Sequence, residues 1–314
     1  MAYQSQCPLH VVDFTNENMK PGTEAWLSAC HVVRTALEDH GCFIARYNRV
    51  SKELCDSVVS AMDTLFALPL ETKKQDTSDK LYHSYLGQDS MIPLYESLGV
   101  DNPLSMDGCQ KFAHIMWPQG NQGFCETINE YAKLLGELDH MAKRMVFESY
   151  GLDMKKCDSF IESSNYLLRC QQYRAAKKDE NDLGLWPHTD YATIAILHQL
   201  KGNGLEIQIT EWEWCRADAL PNLFVVMAGD GFQVWSNGRI RSCQHRVIMN
   251  AKQPRYSTGL FTFMDKTVHI PEELVNEQHP LRYKPIFDHY EYTHFADKVK
   301  ITDHNSRINA YCGI

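Results

Sequence analysis

The chain has 314 residues, with 31 lysine and arginine against 40 aspartate and glutamate for a formal charge of −9, and it is 44% apolar, 23% charged and 11% aromatic. That is the make-up of a globular chain with material for a sizeable core, and it excludes a disordered or fibrous one. An acidic chain with no dense basic run argues against nucleic acid, and the longest apolar stretch, around Leu223 to Gly229, is far short of the roughly 20 residues that span a bilayer.

The start, Met1 to Phe14, has neither the basic opening nor the apolar run of a signal peptide, so the expected compartment is the cytoplasm. Eleven cysteines, an odd number without a C-x-x-C pair, read as reduced thiols in the core rather than a disulfide framework or zinc ribbon.

In chain order, Leu9 to Phe14 reads as a strand, Glu24 to Asp39 as a helix and Cys42 to Tyr47 as a second strand. The helix rests on Trp26, Ala29, Val33, Ala36 and Leu37 at three- and four-residue steps, with Gly41 after its end. Ser51 is a candidate N-cap for a helix over 51–67 that stops before Pro69. Glu71 to Gly120, with Pro93, Pro103 and Pro118 and no sustained period, is expected to be a covering loop. A long helix over 121–150, ended by Gly151, and a shorter one near Met154 to Glu162 follow.

From Asn165 the pattern turns to short β-rich runs: Tyr166 to Tyr173, Tyr191 to His198, Leu205 to Ile209, Leu223 to Met227, Phe232 to Ser236, His245 to Met249 and Tyr256 to Met264. Turn signals at Gly202 to Gly204, Asp230-Gly231 and Asn237-Gly238 separate them, and this spacing predicts a sandwich or barrel. The expected architecture is α+β: a helical region with short strands over 1–164, a β core over 165–292 and a polar tail over 293–314, in one structural unit.

His188-Thr-Asp190 stands before a predicted strand, and positions two apart in extended backbone point the same way. His245, 57 residues on, begins another predicted strand; two such strands facing each other complete a set of two imidazoles and one carboxylate. That set suits Fe(II), filling one face of an octahedron and leaving positions open, the mark of catalysis rather than structure. Alone it is weak, because the chain has 14 histidines. Arg255-Tyr-Ser257 adds weight: another i, i+2 pair, ten residues after His245, aiming a guanidinium and a hydroxyl one way. A planar fork fits a carboxylate bidentately, and an interior arginine is costly without an anionic partner. A dicarboxylate held there could chelate iron with its other end. The bland alternatives are a surface ion pair for Arg255 and ordinary surface or core histidines.

Pro187-His-Thr-Asp190, Gly204-Leu-Glu206, Ala228-Gly-Asp230, Ser236-Asn-Gly-Arg239, His245-Arg-Val247 and Arg255-Tyr-Ser257, in this order, resemble the core of plant iron(II)- and 2-oxoglutarate-dependent dioxygenases. Val11-Val-Asp-Phe14, Gly41-Cys-Phe43, Leu68 to Lys73 and Leu94 to Ser97 are similar to that family's amino-terminal landmarks. Leu94 to Gly99 and Trp117-Pro-Gln-Gly120 look like its branch of glucosinolate side-chain oxygenases and steroidal-glycoalkaloid hydroxylases.

The resemblance implies the isopenicillin N synthase-like fold, a distorted double-stranded β-helix or cupin-type jelly roll flanked by helices. By it His188, Asp190 and His245 are the catalytic iron ligands, and Arg255 and Ser257 hold the distal carboxylate of 2-oxoglutarate. Tyr173 matches the second tyrosine of the family's Asn-Tyr-Tyr-Pro segment, a further co-substrate contact, although Gln171, Gln172 and Arg174 replace its neighbours. The implied cofactors are Fe(II) and 2-oxoglutarate, with ascorbate as a helper. The implied partners are dioxygen and a small-molecule substrate, and a monomer is the default oligomeric state.

Phe261 and Phe263, on the Arg255 side of their strand, and Tyr191 are the substrate-facing candidates, with plain core packing as the alternative. Hydroxylation is the default outcome; dealkylation, desaturation and ring closure stay open. A plant specialised metabolite such as an alkaloid is ranked above an auxin-type acid, because no second interior arginine stands out to pair such an acid. A zinc-dependent hydrolase, which leaves Arg255 and Ser257 unexplained, and a non-catalytic cupin-like binding protein, against which the presence of all five residues argues, are the competing classes.

Overall fold

A computed structural model describes residues 8–80, 82–178, 180–249, 253–265, 267–284, 286–299 and 304–312. Its elements in order are β1 (Val11–Asp13), α1 (Glu24–Asp39), β2 (Cys42–Arg46), α2 (Lys52–Phe66), α3 (Leu70–Lys73), β3 (Leu86–Gly87), β4 (Tyr95–Asp101), α4 (Met106–Met116), α5 (Gln122–Ser149) and α6 (Met154–Glu162). They continue with β5 (Ser164–Tyr173), β6 (Leu183–His188), β7 (Ile194–Lys201), β8 (Leu205–Gln208), β9 (Trp214–Arg216), β10 (Leu223–Ala228), α7 (Asp230–Trp235), β11 (His245–Ile248) and β12 (Arg255–Met264). After β13 (Val268–His269) and β14 (Ile286–Phe287) come α8 (His289–Val299) and α9 (His304–Cys312).

Eight strands form one sheet in the order β1-β2-β10-β7-β12-β5-β4-β3, and four form a second in the order β6-β11-β8-β9. Alternation along β12 decides which residues meet the second sheet. Arg255, Ser257, Gly259, Phe261 and Phe263 lie on its inner face, while Tyr256, Thr258, Leu260, Thr262 and Met264 face the helices. The inner layer packs Ala195, Leu197, Val225 and Met227 of the large sheet on Leu205 and Ile207 of the small one.

The outer face packs against α1, α2 and α5, in the largest apolar cluster. α5 buries Phe124, Ile128, Tyr131, Leu135, Leu138, Ala142 and Met145, a stripe at three- and four-residue steps. Each large side chain buried there contributes about 1.5–3 kcal/mol. Its start is capped by the Asn121 Oδ1, which accepts from the Phe124 N–H at 3.0 Å. Polar groups under α5 are paired: Lys143 bonds Asp139 at 2.7 Å with both side chains fully buried, and Tyr131 bonds Thr258 Oγ1 at 2.7 Å and His198 Nδ1 at 3.0 Å.

Several expectations fail. The 71–120 segment contains β4, which pairs with β5, and α4, which buries Cys109, Phe112, Ala113 and Met116. Those four have helical spacing over one short stretch, diluted by the prolines around it. Phe232 to Ser236 is not a strand but part of α7, because an apolar run this short fits either period. The strand expected at 191–198 runs from 194 to 201, and β6, which contains Pro187, is an additional strand. Among the described residues nine cysteines are free and buried, whereas Cys215 is disulfide-bonded, contrary to the all-reduced reading.

Candidate active site

His188 ends β6 and His245 begins β11, and the antiparallel register sets the two residues opposite each other with ring centroids 4.2 Å apart. Strand pairing, as the spacing predicted, therefore brings the imidazoles together. Asp190 lies just past the end of β6, ahead of the bend at residues 191–193 that leads into β7. Its Oδ1 lies 3.8 Å from His188 Nε2 and 3.9 Å from His245 Nε2.

The bend is held by its backbone, with the Asp230 N–H donating to the Asp190 carbonyl at 2.8 Å and the Gly229 N–H to the Thr193 carbonyl at 2.9 Å. A side chain at Gly229 would strike the Ala192 and Asp190 carbonyls. Glycine is thus required there by close approach rather than by dihedral angle.

Both histidines are oriented by backbone carbonyls, His188 Nδ1 bonding Trp186 O at 2.8 Å and His245 Nδ1 bonding Cys243 O at 3.1 Å. A carbonyl can only accept, so each Nδ1 carries the proton and each Nε2 presents a lone pair toward the other donors. Burial lowers both imidazoles to about 4, with the two rings also disfavouring each other's charge at His188, so both are neutral at pH 7. Burial raises Asp190 to about 6, against the opposing effect of His188. One atom of each residue lies within 4.8 Å of the others, and Asp190 Oδ2 is buried with no hydrogen-bond partner. Two neutral nitrogen donors and an unsatisfied buried carboxylate oxygen fit a divalent metal.

Arg255 is 2% exposed and lies across from Tyr173 in the β12–β5 register, its guanidinium 4.8 Å from that ring's centre. It donates from Nη1 to Ser257 Oγ at 2.8 Å and from Nη2 to Gln199 Oε1 at 3.1 Å, and Ser257 donates to Gln171 Oε1 at 3.0 Å. The charged or ionisable groups that bear on it are phenols, of Tyr173 and Tyr95, and not a carboxylate. A buried guanidinium with neutral partners is a site awaiting an anion. Gly204, where an added Cβ would come within 3.1 Å of Arg255 Cδ, precedes by three residues Ile207, the partner of His245 on β8. Three strand residues span about 10 Å, which sets the scale between the guanidinium and the histidines.

The three substrate-facing candidates lie beyond the metal-binding group. Phe261 and Phe263 pack with Leu167 and Ala192, the latter two residues after Asp190. Tyr191 lies tilted against Tyr82, with ring centroids 5.5 Å apart, and meets Tyr292 edge-on.

Gln199 carries a signal that sequence reading passed over, a glutamine that follows Ala195 and Leu197 on the inner face of β7. Arg307 of α9 gave none. Its Nη2 donates to Thr189 Oγ1 at 2.9 Å and to Asp230 Oδ2 at 2.8 Å, its Nε to Tyr292 Oη at 3.0 Å, and its guanidinium lies 4.9 Å from the Tyr191 ring centre. Asp230 also accepts from Ser242 at 2.7 Å. The carboxyl-terminal helix thereby grips the residue between His188 and Asp190. Arg307→Ala is expected to weaken Fe(II) binding about 10- to 100-fold, the usual cost of removing an outer partner, and Arg307→Lys to recover part of it. Fe(II) titration monitored by fluorescence checks this.

A two-sheet barrel with two imidazoles and a carboxylate at one end and an anion-seeking arginine inside is the framework of a mononuclear non-haem iron oxygenase. Comparison with known proteins agrees. The 2OG-Fe(II) oxygenase superfamily model matches residues 164–263, and the model described as non-haem dioxygenase in morphine synthesis N-terminal matches residues 9–92. A probable 2-oxoglutarate-dependent dioxygenase, AOP1, of Arabidopsis thaliana is 41% identical, over 91% of this chain and 96% of the relative.

Among solved structures, the rice dioxygenase for auxin oxidation superimposes with a TM-score of 0.81 at 26% identity, covering 96% of this chain and 99% of that one. The Arabidopsis thaliana dioxygenase for auxin oxidation 1, in complex with 2-oxoglutarate, gives 0.77 at 28% identity over 87% and 99%. The chain belongs to the 2-oxoglutarate-dependent Fe(II) dioxygenase family. It is an enzyme whose cofactors are Fe(II) and 2-oxoglutarate, which removes the zinc hydrolase and the non-catalytic binding protein. Among the described residues no helix is long and apolar enough to cross a membrane.

Proposed function

We propose that His188, Asp190 and His245 hold the iron, that Arg255 and Ser257 bind the distal carboxylate of 2-oxoglutarate with Tyr173 beside them, and that the enzyme oxidises a small plant specialised metabolite. The observation that carries this reading is the buried Arg255 fork, without a carboxylate partner, on the same inner barrel layer as the three clustered donors. The bound iron supplies the redox chemistry that couples decarboxylation of 2-oxoglutarate to substrate oxidation.

The chain's own residues do the rest. Trp186 and Cys243 carbonyls fix the imidazoles with Nε2 free, the Gly229–Asp230 backbone holds the bend after Asp190, and the Gln199 and Gln171 oxygens orient the guanidinium and the hydroxyl. Phe261, Phe263 and Tyr191 give the substrate an apolar wall that excludes water from the reacting centre. Hydroxylation is the default outcome, by a monomer in the cytoplasm.

The sequence ranked an alkaloid above an auxin-type acid. Likeness to two auxin-oxidising dioxygenases supports the acid as a second reading. A succinate-release screen across alkaloids, steroidal glycosides, glucosinolates and indole acids, with Fe(II) and ascorbate present and product masses read in parallel, tests both. Succinate that rises with one class, with a product gaining one oxygen, is the expected result. No rise above the uncoupled background with any class contradicts the metabolite reading.

A further inference from the structure

Polar residues line the inner face of the large sheet in two adjacent rows. Tyr95 of β4, Tyr173 of β5 and Arg255 of β12 stand opposite one another in register. Two residues along the strands, Ser97, Gln171, Ser257 and Gln199 of β7 form the next row. Neighbours within a row project from the same face, with Cβ atoms about 4.5–5.5 Å apart. The contacts among Arg255, Ser257, Gln199 and Gln171 give β5, β7 and β12 their part in gripping the diacid. β4, from the 71–120 segment, is the remaining strand, and it brings a phenol to the end of the first row.

Tyr95 reaches the arginine through Tyr173. The two phenol rings have centroids 5.1 Å apart and planes tilted by 47°, and the Arg255 guanidinium lies 4.8 Å from the Tyr173 ring centre. From the small sheet, an added Cβ at Gly184 of β6 would come within 2.9 Å of Tyr173 Cδ1. The buried Tyr173 ring is thus confined by a phenol, a strand backbone and a guanidinium. The pairing of β3 with Glu96 and Ser97 stops short of Tyr95, so among the described residues no further strand backs the row. Tyr95, itself buried, is set by the strand that carries it. The Arg174 N–H donates to the Leu94 carbonyl at 2.9 Å, and Arg169 of β5 donates to the Ser97 hydroxyl. On the opposite face Glu96 pairs with Lys73 Nζ at 2.6 Å and accepts from the Tyr85 hydroxyl at 2.8 Å.

We infer that Tyr95 is a positioning residue for the co-substrate: its ring braces Tyr173 against Arg255 and thereby sets the affinity for 2-oxoglutarate. The inference rests on the placement of the distal carboxylate at Arg255 and Ser257 proposed above, and adds to it a group from the 71–120 segment. The brace acts in two ways. A guanidinium stacked on a fixed ring loses less freedom when its fork closes on a carboxylate. A ring that fills the space beside Tyr173 also keeps water from the ion pair, which is stronger in dry surroundings. Without the Tyr95 ring, Tyr173 has room to turn away from the guanidinium, and both effects weaken together. Plain packing of β4, the competing role, predicts a loss of stability with the grip on the diacid unaltered.

The test compares Tyr95→Leu, Tyr95→Phe and Leu98→Ala in the full chain. Leu98 is fully buried on the outer face of β4, so its truncation reports what lost packing in the same strand does. 2-Oxoglutarate is titrated anaerobically into the Fe(II)-loaded protein and read by the visible charge-transfer band, and Fe(II) binding is measured separately by fluorescence. Tyr95→Leu should weaken 2-oxoglutarate about 10-fold with Fe(II) affinity unchanged, and Tyr95→Phe should stay within about 2-fold of wild type. Leu98→Ala should lower the melting temperature and leave both affinities alone. If Tyr95→Leu does not fold, Tyr95→Met, which fills the space without a flat face, takes its place. An unchanged 2-oxoglutarate affinity in Tyr95→Leu, an equal loss in Tyr95→Phe or Leu98→Ala, or a parallel loss of Fe(II) affinity overturns the brace. Arg255→Met, titrated alongside, separates the two levels. Retained 2-oxoglutarate affinity in Arg255→Met overturns the underlying placement, whereas a loss there with none in Tyr95→Leu overturns the brace alone.

Discussion

Asp190→Ala is expected to reduce succinate formation to background while leaving the protein folded. The carboxylate makes no side-chain hydrogen bond through Oδ2, and it is buried, so the metal-free chain loses little by its removal. The bend that follows it is held by the Gly229 and Asp230 backbone amides, which the substitution does not touch. What is lost is the one anionic donor of the group, leaving two neutral imidazoles. Removal of a mere outer partner costs 10- to 100-fold in metal affinity, so loss of a direct ligand should exceed about 100-fold. Metal content after dialysis against Fe(II), together with succinate yield, measures both effects. Normal turnover by Asp190→Ala would show that iron is held elsewhere.

Arg255→Met should separate co-substrate binding from metal binding. In the wild-type protein a fully buried guanidinium has one amide oxygen, a hydroxyl and a phenol ring about it. A dicarboxylate completes it as an ion pair with a planar fork. Removing one partner of a buried pair costs about 3–5 kcal/mol, or roughly 100- to 5,000-fold in 2-oxoglutarate affinity. Arg255→Lys should recover only part of this, because an ammonium cannot reproduce the fork. The metal-free Arg255→Met protein should melt no lower than wild type, since an uncompensated buried charge has been removed. It should also lose the rise in melting temperature that 2-oxoglutarate gives the wild type. Thermal denaturation with and without 2-oxoglutarate checks the pair of expectations, and an unchanged KM for 2-oxoglutarate would refute the assignment.

The donor set was legible because its spacing is tied to strand geometry: His245 opposes His188 by register, and Arg255 with Ser257 follows strict alternation on β12. Asp190 comes just after β6, ahead of a bend at residues 191–193. Sequence could not reveal that bend, because the Gly229–Asp230 segment that holds it is about 40 residues away. The same limit hid Arg307, which sits in a polar stretch whose weak period gave no helix and reaches Thr189 and Asp230 only through the fold. β4, which carries Tyr95, was masked differently. In the 71–120 segment the prolines dominate the local pattern, and β4 and α4 take shape only against β5 and α5. Motifs fixed by local backbone period were readable; positions fixed by a distant partner were not.

Anaerobic titration of Fe(II) into the protein with 2-oxoglutarate present, followed by visible absorption, bears most directly on the joint grip of metal and diacid by five side chains. One equivalent of Fe(II) should saturate a weak charge-transfer band that is absent from both Asp190→Ala and Arg255→Met. A protein that binds Fe(II) and 2-oxoglutarate without developing the band, or a band that survives both substitutions, contradicts it.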